Sequence, residues 1–237
     1  MCGRYANARR DADLVGAFGI EDVVGDEPAP SWNVAPTDDV RVVLERAPRE
    51  EPEEAPARQL RTVRWGLVPS WAKDPSIGSR LINARSESVT EKPAFKAAAA
   101  RRRCLVPADG YYEWERLPSG GKQPYFLHGD GVLGFAGLYE LWPDPAREAD
   151  DPSRWWWTFT ILTTRAGDAL GHIHDRTPVV VPPAMADDWL DPRLTKVSQV
   201  RAMIEAMPEP VLEPRPVGRA VGNVANNGPQ LVERVEL

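Results

Sequence analysis

Short apolar runs broken by turn residues dominate the chain, and only a few have helical spacing. Leu14, Val15 and Phe18 share one side of a helix over Asp11 to Gly19, with Asp11 placed to cap it. β-Branched runs predict strands at Val40–Leu44 and Leu60–Trp65, and further strands fall at Tyr125–His128, Val132–Leu141 and Trp155–Thr164. Leu105–Glu115 begins apolar, turns at Asp109-Gly110 and continues through Tyr111-Tyr112-Glu113-Trp114. Alanine-rich packing positions predict a helix over Thr90–Arg102, and the triplet Arg101-Arg102-Arg103 at its end is expected to face water. Helices are predicted at Pro183–Leu190 and Thr195–Met207, then a polar strand and turn over Val217–Pro229.

Two stretches interrupt this pattern. Residues 45–58 carry five Glu and three Pro, and residues 143–153 are also acidic and proline-containing, so both are expected as solvated surface inserts. At 237 residues with 42% hydrophobic content, the chain suits one large domain or two small ones with a substantial core. No apolar run approaches the roughly 18 residues of a membrane span, and the first residues lack a secretory pattern, so a cytoplasmic protein with no membrane partner is expected. Two cysteines are too few for a disulfide scaffold, and Cys104, inside the run Cys104-Leu105-Val106, is expected in the core.

The net charge of −6 argues against a nucleic-acid partner until its placement is considered. From Arg61 to Lys122 there are twelve Lys or Arg against six Asp or Glu, so this stretch carries +6 and the remainder −12. One basic face on an acidic protein is compatible with these numbers. Arginine outnumbers lysine 24 to 5, which suits bidentate phosphate contacts but equally a GC-rich genome.

Several residues carry candidate chemistry. Met1 precedes the small residue Cys2, so its removal would leave an α-amine beside a thiol, a 1,2-aminothiol able to condense with an aldehyde through nitrogen and then sulfur. In extended backbone Asn83, Arg85 and Glu87 project together, lining one surface with an amide, a guanidinium and a carboxylate, or else facing solvent on an edge strand. Glu113 is enclosed by aromatic neighbours, which suits a carboxyl whose pKa is raised for acid/base work. Trp65 and Trp71 flank a proline bend and serve either as core or as stacking platforms for unpaired bases. His172 and His174 form a His-x-His pair, but no third ligand stands nearby and no metal is expected.

Taken together and in order, Cys2-Gly3-Arg4-Tyr5, Asn33-Val34-Ala35-Pro36-Thr37, Trp65-Gly66-Leu67, Ile82-Asn83-Ala84-Arg85-Ser86-Glu87, Cys104-Leu105-Val106-Pro107, Tyr112-Glu113-Trp114, Ala136-Gly137-Leu138-Tyr139-Glu140, Thr163-Thr164, Ile173-His174-Asp175-Arg176 and Asn226-Asn227-Gly228-Pro229 resemble the SRAP (SOS response-associated peptidase) family over almost the whole chain. The resemblance implies a single α+β domain over residues 1–237, its antiparallel strands forming a distorted β-barrel flanked by short helices. It implies a sensor of abasic sites in single-stranded DNA that links covalently to the ring-opened sugar as a thiazolidine, with no cofactor. By matching position, Cys2 supplies amine and thiol, Asn83 positions it, Glu113 shuttles protons, and His174 helps open the sugar. Arg4, Arg85, Trp114 and Thr163 would hold phosphates and bases, Asn33 and Pro36 would shape the pocket, and Trp65 is counted with the DNA contacts. A monomer, nucleoid-associated when on DNA, is expected. Two positions depart from the family pattern: Arg176-Thr177-Pro178 stands where Arg-Met-Pro is usual, so Thr177 replaces a methionine, and Gly222 replaces an asparagine, with Asn223 following.

Other readings use the same residues. Cys2 with His174 or Glu113 would make an N-terminal-nucleophile peptidase or hydrolase, although only Met1 lies upstream for self-processing. A non-covalent single-strand binding module would need the tryptophans and arginines alone.

Overall fold

A computed structural model describes residues 2–47, 55–167, 171 and 173–236. Met1, whose removal would expose Cys2, His172 of the His-x-His pair and residues 48–54 of the first acidic insert lie outside the described residues. In chain order the elements are β1 (Tyr5–Asn7), α1 (Asp11–Phe18), β2 (Asp22–Val24), β3 (Ser31–Val34), β4 (Asp39–Arg46) and β5 (Ala57–Trp65). Then come β6 (Asn83–Arg85), α2 (Lys96–Arg101), β7 (Arg103–Ala108), β8 (Gly110–Arg116), β9 (Lys122–His128) and β10 (Leu133–Pro143). The chain finishes with β11 (Trp155–Arg165), β12 (Arg176–Pro178), α3 (Ala186–Leu190), α4 (Val197–Ala206) and β13 (Glu213–Pro216).

Five strands close a barrel. The order β11-β10-β7-β4-β5 is antiparallel throughout, and β5 returns to pair with β11 in parallel at Thr158↔Arg64 and Phe159↔Trp65. A second sheet, β13-β9-β8-β1-β3, is wholly antiparallel and brings the start of the chain against β8. Side-chain alternation explains why both faces of the barrel strands are apolar. Val40, Val42 and Leu44 of β4, Val63 and Trp65 of β5, and Phe159 and Ile161 of β11 fill the interior together with Cys2, Tyr5 and Cys104. Their neighbours Val43, Leu60, Leu105, Leu138 and Leu162 point outward and are covered by Leu14 of α1, Ala98 and Ala99 of α2, and Trp189 and Leu190 of α3. The α+β domain with a distorted barrel and short helices is therefore the observed architecture.

Close packing sets one glycine. Gly137 pairs with Cys104 across β10 and β7, and a Cβ there would lie 2.9 Å from the Cys104 Sγ, so only hydrogen fits.

Four local expectations are corrected. Asp11 is the first helical residue of α1 rather than its cap; Arg10 takes that position, and the Asp11 carboxylate accepts a fork of 2.9 and 2.5 Å from Arg41, which is 2% exposed. A buried guanidinium requires such a partner more than a helix end does. The helix predicted from Thr90 is confined to Lys96–Arg101: Pro93 disfavours helical backbone at Lys92, and the turns that follow end at the N-cap Phe95, whose φ of −122° is not helical. Arg103 does not face water: it is 2% exposed and donates to the carbonyls of Ala99, Ala100, Trp189 and Asp191. Residues 217–229 form a 3-10 turn at Arg219–Gly222 and further turns instead of a strand, since Asn223 and Asn226 side chains bond nearby backbone at Ala225 and Ala220. The strands also reach further into the acidic inserts than predicted, β4 to Arg46, β5 from Ala57 and β10 to Pro143.

Candidate functional site

Cys2 enters the barrel interior because the β1–β8 register, Tyr5↔Tyr111 and Ala6↔Gly110, carries the chain start along β8 toward Glu113. The Tyr112 amide donates to the Arg4 carbonyl at 2.9 Å and extends this pairing. Cys2 is fully buried, and Asn83 Nδ2 donates to its carbonyl oxygen at 2.7 Å. Asn83 itself is fixed by β6, which lies parallel to β11 at Asn83↔Ile161. Its Oδ1 is buried and has no protein partner among the described residues, so an acceptor remains beside Cys2. Burial pushes the Cys2 thiol well above its ordinary value, with the Glu113 charge acting in the same direction. The sulfur therefore rests as a thiol rather than a thiolate.

Glu113 is 5% exposed on β8, and desolvation raises its carboxyl to about 7. It can be found in either protonation state at neutral pH, which suits a group that must both take and give a proton. His174 is partly exposed, and burial holds its imidazole below the ordinary histidine value. Its Nδ1 lies 3.0 Å from the Arg176 amide and 3.0 Å from Asp175 Oδ1. The amide can donate only to an unprotonated Nδ1, and the Asp175 side chain is 86% exposed and screened, so the neutral ring with its proton on Nε2 prevails.

The remaining expected residues divide into two groups. Arg85 is exposed, Trp114 and Arg4 are half-buried, and Pro36 is half-buried beside Thr37, a β-branched residue held at φ 79°. A β-branched residue in that region is strained, and it is held there by its amide donating to the Trp65 carbonyl at 3.0 Å. Asn33, Trp65 and Thr163 instead have 3%, 0% and 1% exposure, so from these positions they present no surface. Asn33 accepts from Arg4 at 2.8 Å and donates to the carbonyls of Asn223 and Asn226, tying the C-terminal turns to β3. Trp65 donates through its indole to the Ile82 carbonyl, and the other tryptophan of the predicted pair, Trp71, is 61% exposed. Glu87 leaves the row formed by Asn83 and Arg85 and instead accepts a two-pronged bond from Arg176 at 2.6 and 3.0 Å.

Three neighbours of the pocket received no role from the sequence. Arg176 clamps Glu87 and donates to the Thr163 carbonyl, while its amide orients His174. The fully buried Tyr5 packs edge-on against Trp65, with ring centroids 5.2 Å apart. Tyr111 shares a face of β8 with Glu113, and its hydroxyl lies 3.0 Å from Thr177 Oγ1, so one of the two departures from the family pattern sits in a buried hydrogen bond. The signal for Tyr111 was available in its i, i+2 spacing from Glu113. Among the described residues no group of His, Cys, Asp and Glu converges to hold a metal ion.

The model of the SOS response associated peptidase (SRAP) family matches residues 1–224. The chain is similar to the abasic site processing protein YoqW of Bacillus subtilis, 34% identical over 98% of this chain and 99% of that protein. It is equally similar to the abasic site processing protein YoaM of the same organism, 34% identical over 98% of each chain. Among solved structures, a protein from Bacteroides thetaiotaomicron superposes with a TM-score of 0.79 over 99% of this chain and all of that one; at 21% identity this likeness concerns the fold alone.

Proposed function

The chain belongs to the SRAP family, and from that membership and the Cys2 pocket we propose that it processes abasic sites in single-stranded DNA by linking to them covalently. Removal of Met1 frees the Cys2 α-amine, whose pKa of about 7.7–8.0 leaves a useful neutral fraction near pH 7.5. The sugar's closed hemiacetal opens when a proton leaves one oxygen and another reaches the ring oxygen, an exchange for which Glu113 and neutral His174 are suited. The amine adds to the aldehyde and water departs, giving an imine. The thiol then adds across the C=N bond, its sulfur forming the new C–S bond and its proton passing to nitrogen. The net change is loss of one water.

The observation that carries this reading is the conjunction at Cys2: Asn83 donates to its carbonyl while a carboxyl poised at about 7 stands close enough for its charge to act on the thiol. The buried, protonated thiol supports an order in which nitrogen attacks first, and it disfavours a thiolate hydrolase built on the same cysteine. Exposed Arg85 supplies a phosphate contact that does not depend on base sequence. Intact mass spectrometry after incubation with a single-stranded oligonucleotide containing one abasic site tests the proposal. The expected species equals protein without Met1 plus DNA less one water; an adduct formed equally well by Cys2→Ala under the same conditions would overturn it.

A further inference from the structure

The barrel has a second mouth, and its rim is built of guanidinium and indole groups. Arg61 continues the interior row of Val63 and Trp65 on β5, Arg46 continues Val42 and Leu44 on β4, and Trp157 continues Phe159 and Ile161 on β11. Trp157 lies four residues from Ile161, the partner of Asn83, which is about 13 Å along the strand. Arg61 Cζ stands 4.2 Å and Arg46 Cζ 5.3 Å from the Trp157 ring centre, while Arg64 lies 6.0 Å from that of Trp156 and Arg154 5.9 Å from that of Trp155.

These four arginines enter no ion pair among the described residues, whereas Arg9, Arg41, Arg58, Arg102 and Arg176 each do. Carboxylates also border the rim: Asp39 lies beside Arg64, the Asp22 charge acts on Arg61, and Asp144 and Asp151 flank Arg154 through backbone hydrogen bonds. A cavity of about 450 Å³ opens between Arg46, Arg61, Leu141, Trp155 and Trp157, and a second of about 380 Å³ adjoins it along Arg64 and the three tryptophans. Trp155 is 39% exposed. Neither cavity is lined by a residue of the Cys2 pocket. Guanidinium groups crowded together in a protein of net charge −6 suit an anionic ligand.

We propose that this mouth is a second binding surface for single-stranded nucleic acid, with phosphates on Arg46, Arg61 and Arg64 and an unpaired base stacked on Trp155. Alternating indole and guanidinium groups match a polymer that alternates flat rings and phosphates. An acidic peptide would engage the charges without needing the exposed indole.

The test uses the full chain and fluorescence anisotropy with undamaged oligothymidylates of 8 and 30 nucleotides across a salt series. Trp155→Ala is expected to weaken binding of the 30-mer about tenfold, with Trp155→Phe recovering most of the loss. Arg46→Ala/Arg61→Ala should weaken it similarly and flatten the log–log salt slope by about 1.4, the value for two lost single-strand phosphate contacts. Adduct formation on an 8-mer with a central abasic site should not change for either variant. Unaltered 30-mer affinity overturns the proposal, as does equal loss on the 8-mer, which would place the effect at the Cys2 pocket. A third contrary result is polyglutamate competing with the 30-mer while Trp155→Ala has no effect, which would assign the mouth to an acidic peptide. Because the anisotropy probes carry no lesion, that readout stands even where no covalent adduct forms.

Discussion

Cys2 and Cys104 belong to the same interior cluster, neither is exposed, and burial raises both thiols well above the ordinary value. What separates them is their company. Cys104 is the second residue of β7, with Gly137 pressed against its sulfur, and burial alone accounts for its shift. Cys2 has an amide on its carbonyl, an amide oxygen nearby with no partner among the described residues, and a carboxyl that desolvation raises to about 7. Under the proposed function, this company of polar groups inside the same apolar shell is what distinguishes a reacting cysteine from a merely buried one.

This contrast can be broken most severely at Cys2. Blocking its amine, by retaining Met1 or adding an N-terminal tag, should abolish the adduct in an intact-mass assay while the thermal melt still reports a folded protein. Next in size is Glu113→Gln, expected to slow adduct formation about a hundredfold in single-turnover kinetics and to remove the pH–rate inflection near 7. Stability has a definite sign as well. The folded carboxyl has the higher pKa, so its favourable protonated form is fully present below about 4.5 and that contribution is lost as pH rises through about 7. Glu113→Gln should flatten denaturant-derived stability across that window.

Smaller effects sharpen the other half of the comparison. Asn83→Ala frees the Cys2 carbonyl and should reduce the rate up to about tenfold, the scale of one hydrogen bond. Gly137→Ala drives a methyl group against Cys104 and should cost about 1–3 kcal/mol by chemical denaturation, with the adduct rate of the folded fraction unchanged. Cys104→Ala should alter stability by about 1 kcal/mol and leave the adduct rate intact, the weakest perturbation of the series.

Much of this organisation was legible in the sequence where local pattern and tertiary need agree. The β-branched runs of β4 and β5 and the turn at Asp109-Gly110 fall where expected, because alternation suffices to place an apolar strand. Arg103 and Asp11 were misplaced because their partners, the Trp189 carbonyl and Arg41, are 86 and 30 residues away. The site shows the same divide. Motif order singled out Cys2, Asn83, Glu113 and His174, and the fold brings Asn83 and Glu113 to Cys2. It left Trp65 open between core and base platform, since an aromatic beside a bend reads alike whether it faces a ligand or a neighbouring strand, and the fold buries it completely. The second mouth was hidden for a related reason: Arg46, Arg61 and Trp157 lie on three strands and meet only when the barrel closes.

The order of bond formation at Cys2 is the central claim, and borohydride trapping tests it directly. With Met1 removed, Cys2→Ala keeps an α-amine but has no sulfur to close the ring. Incubated with the abasic oligonucleotide, it should give no denaturation-resistant adduct alone, yet with borohydride a reduced imine whose mass exceeds that of the imine by two hydrogens. Absence of any trapped species from Cys2→Ala, alongside an adduct from wild-type protein whose amine has been blocked, would contradict attack by nitrogen.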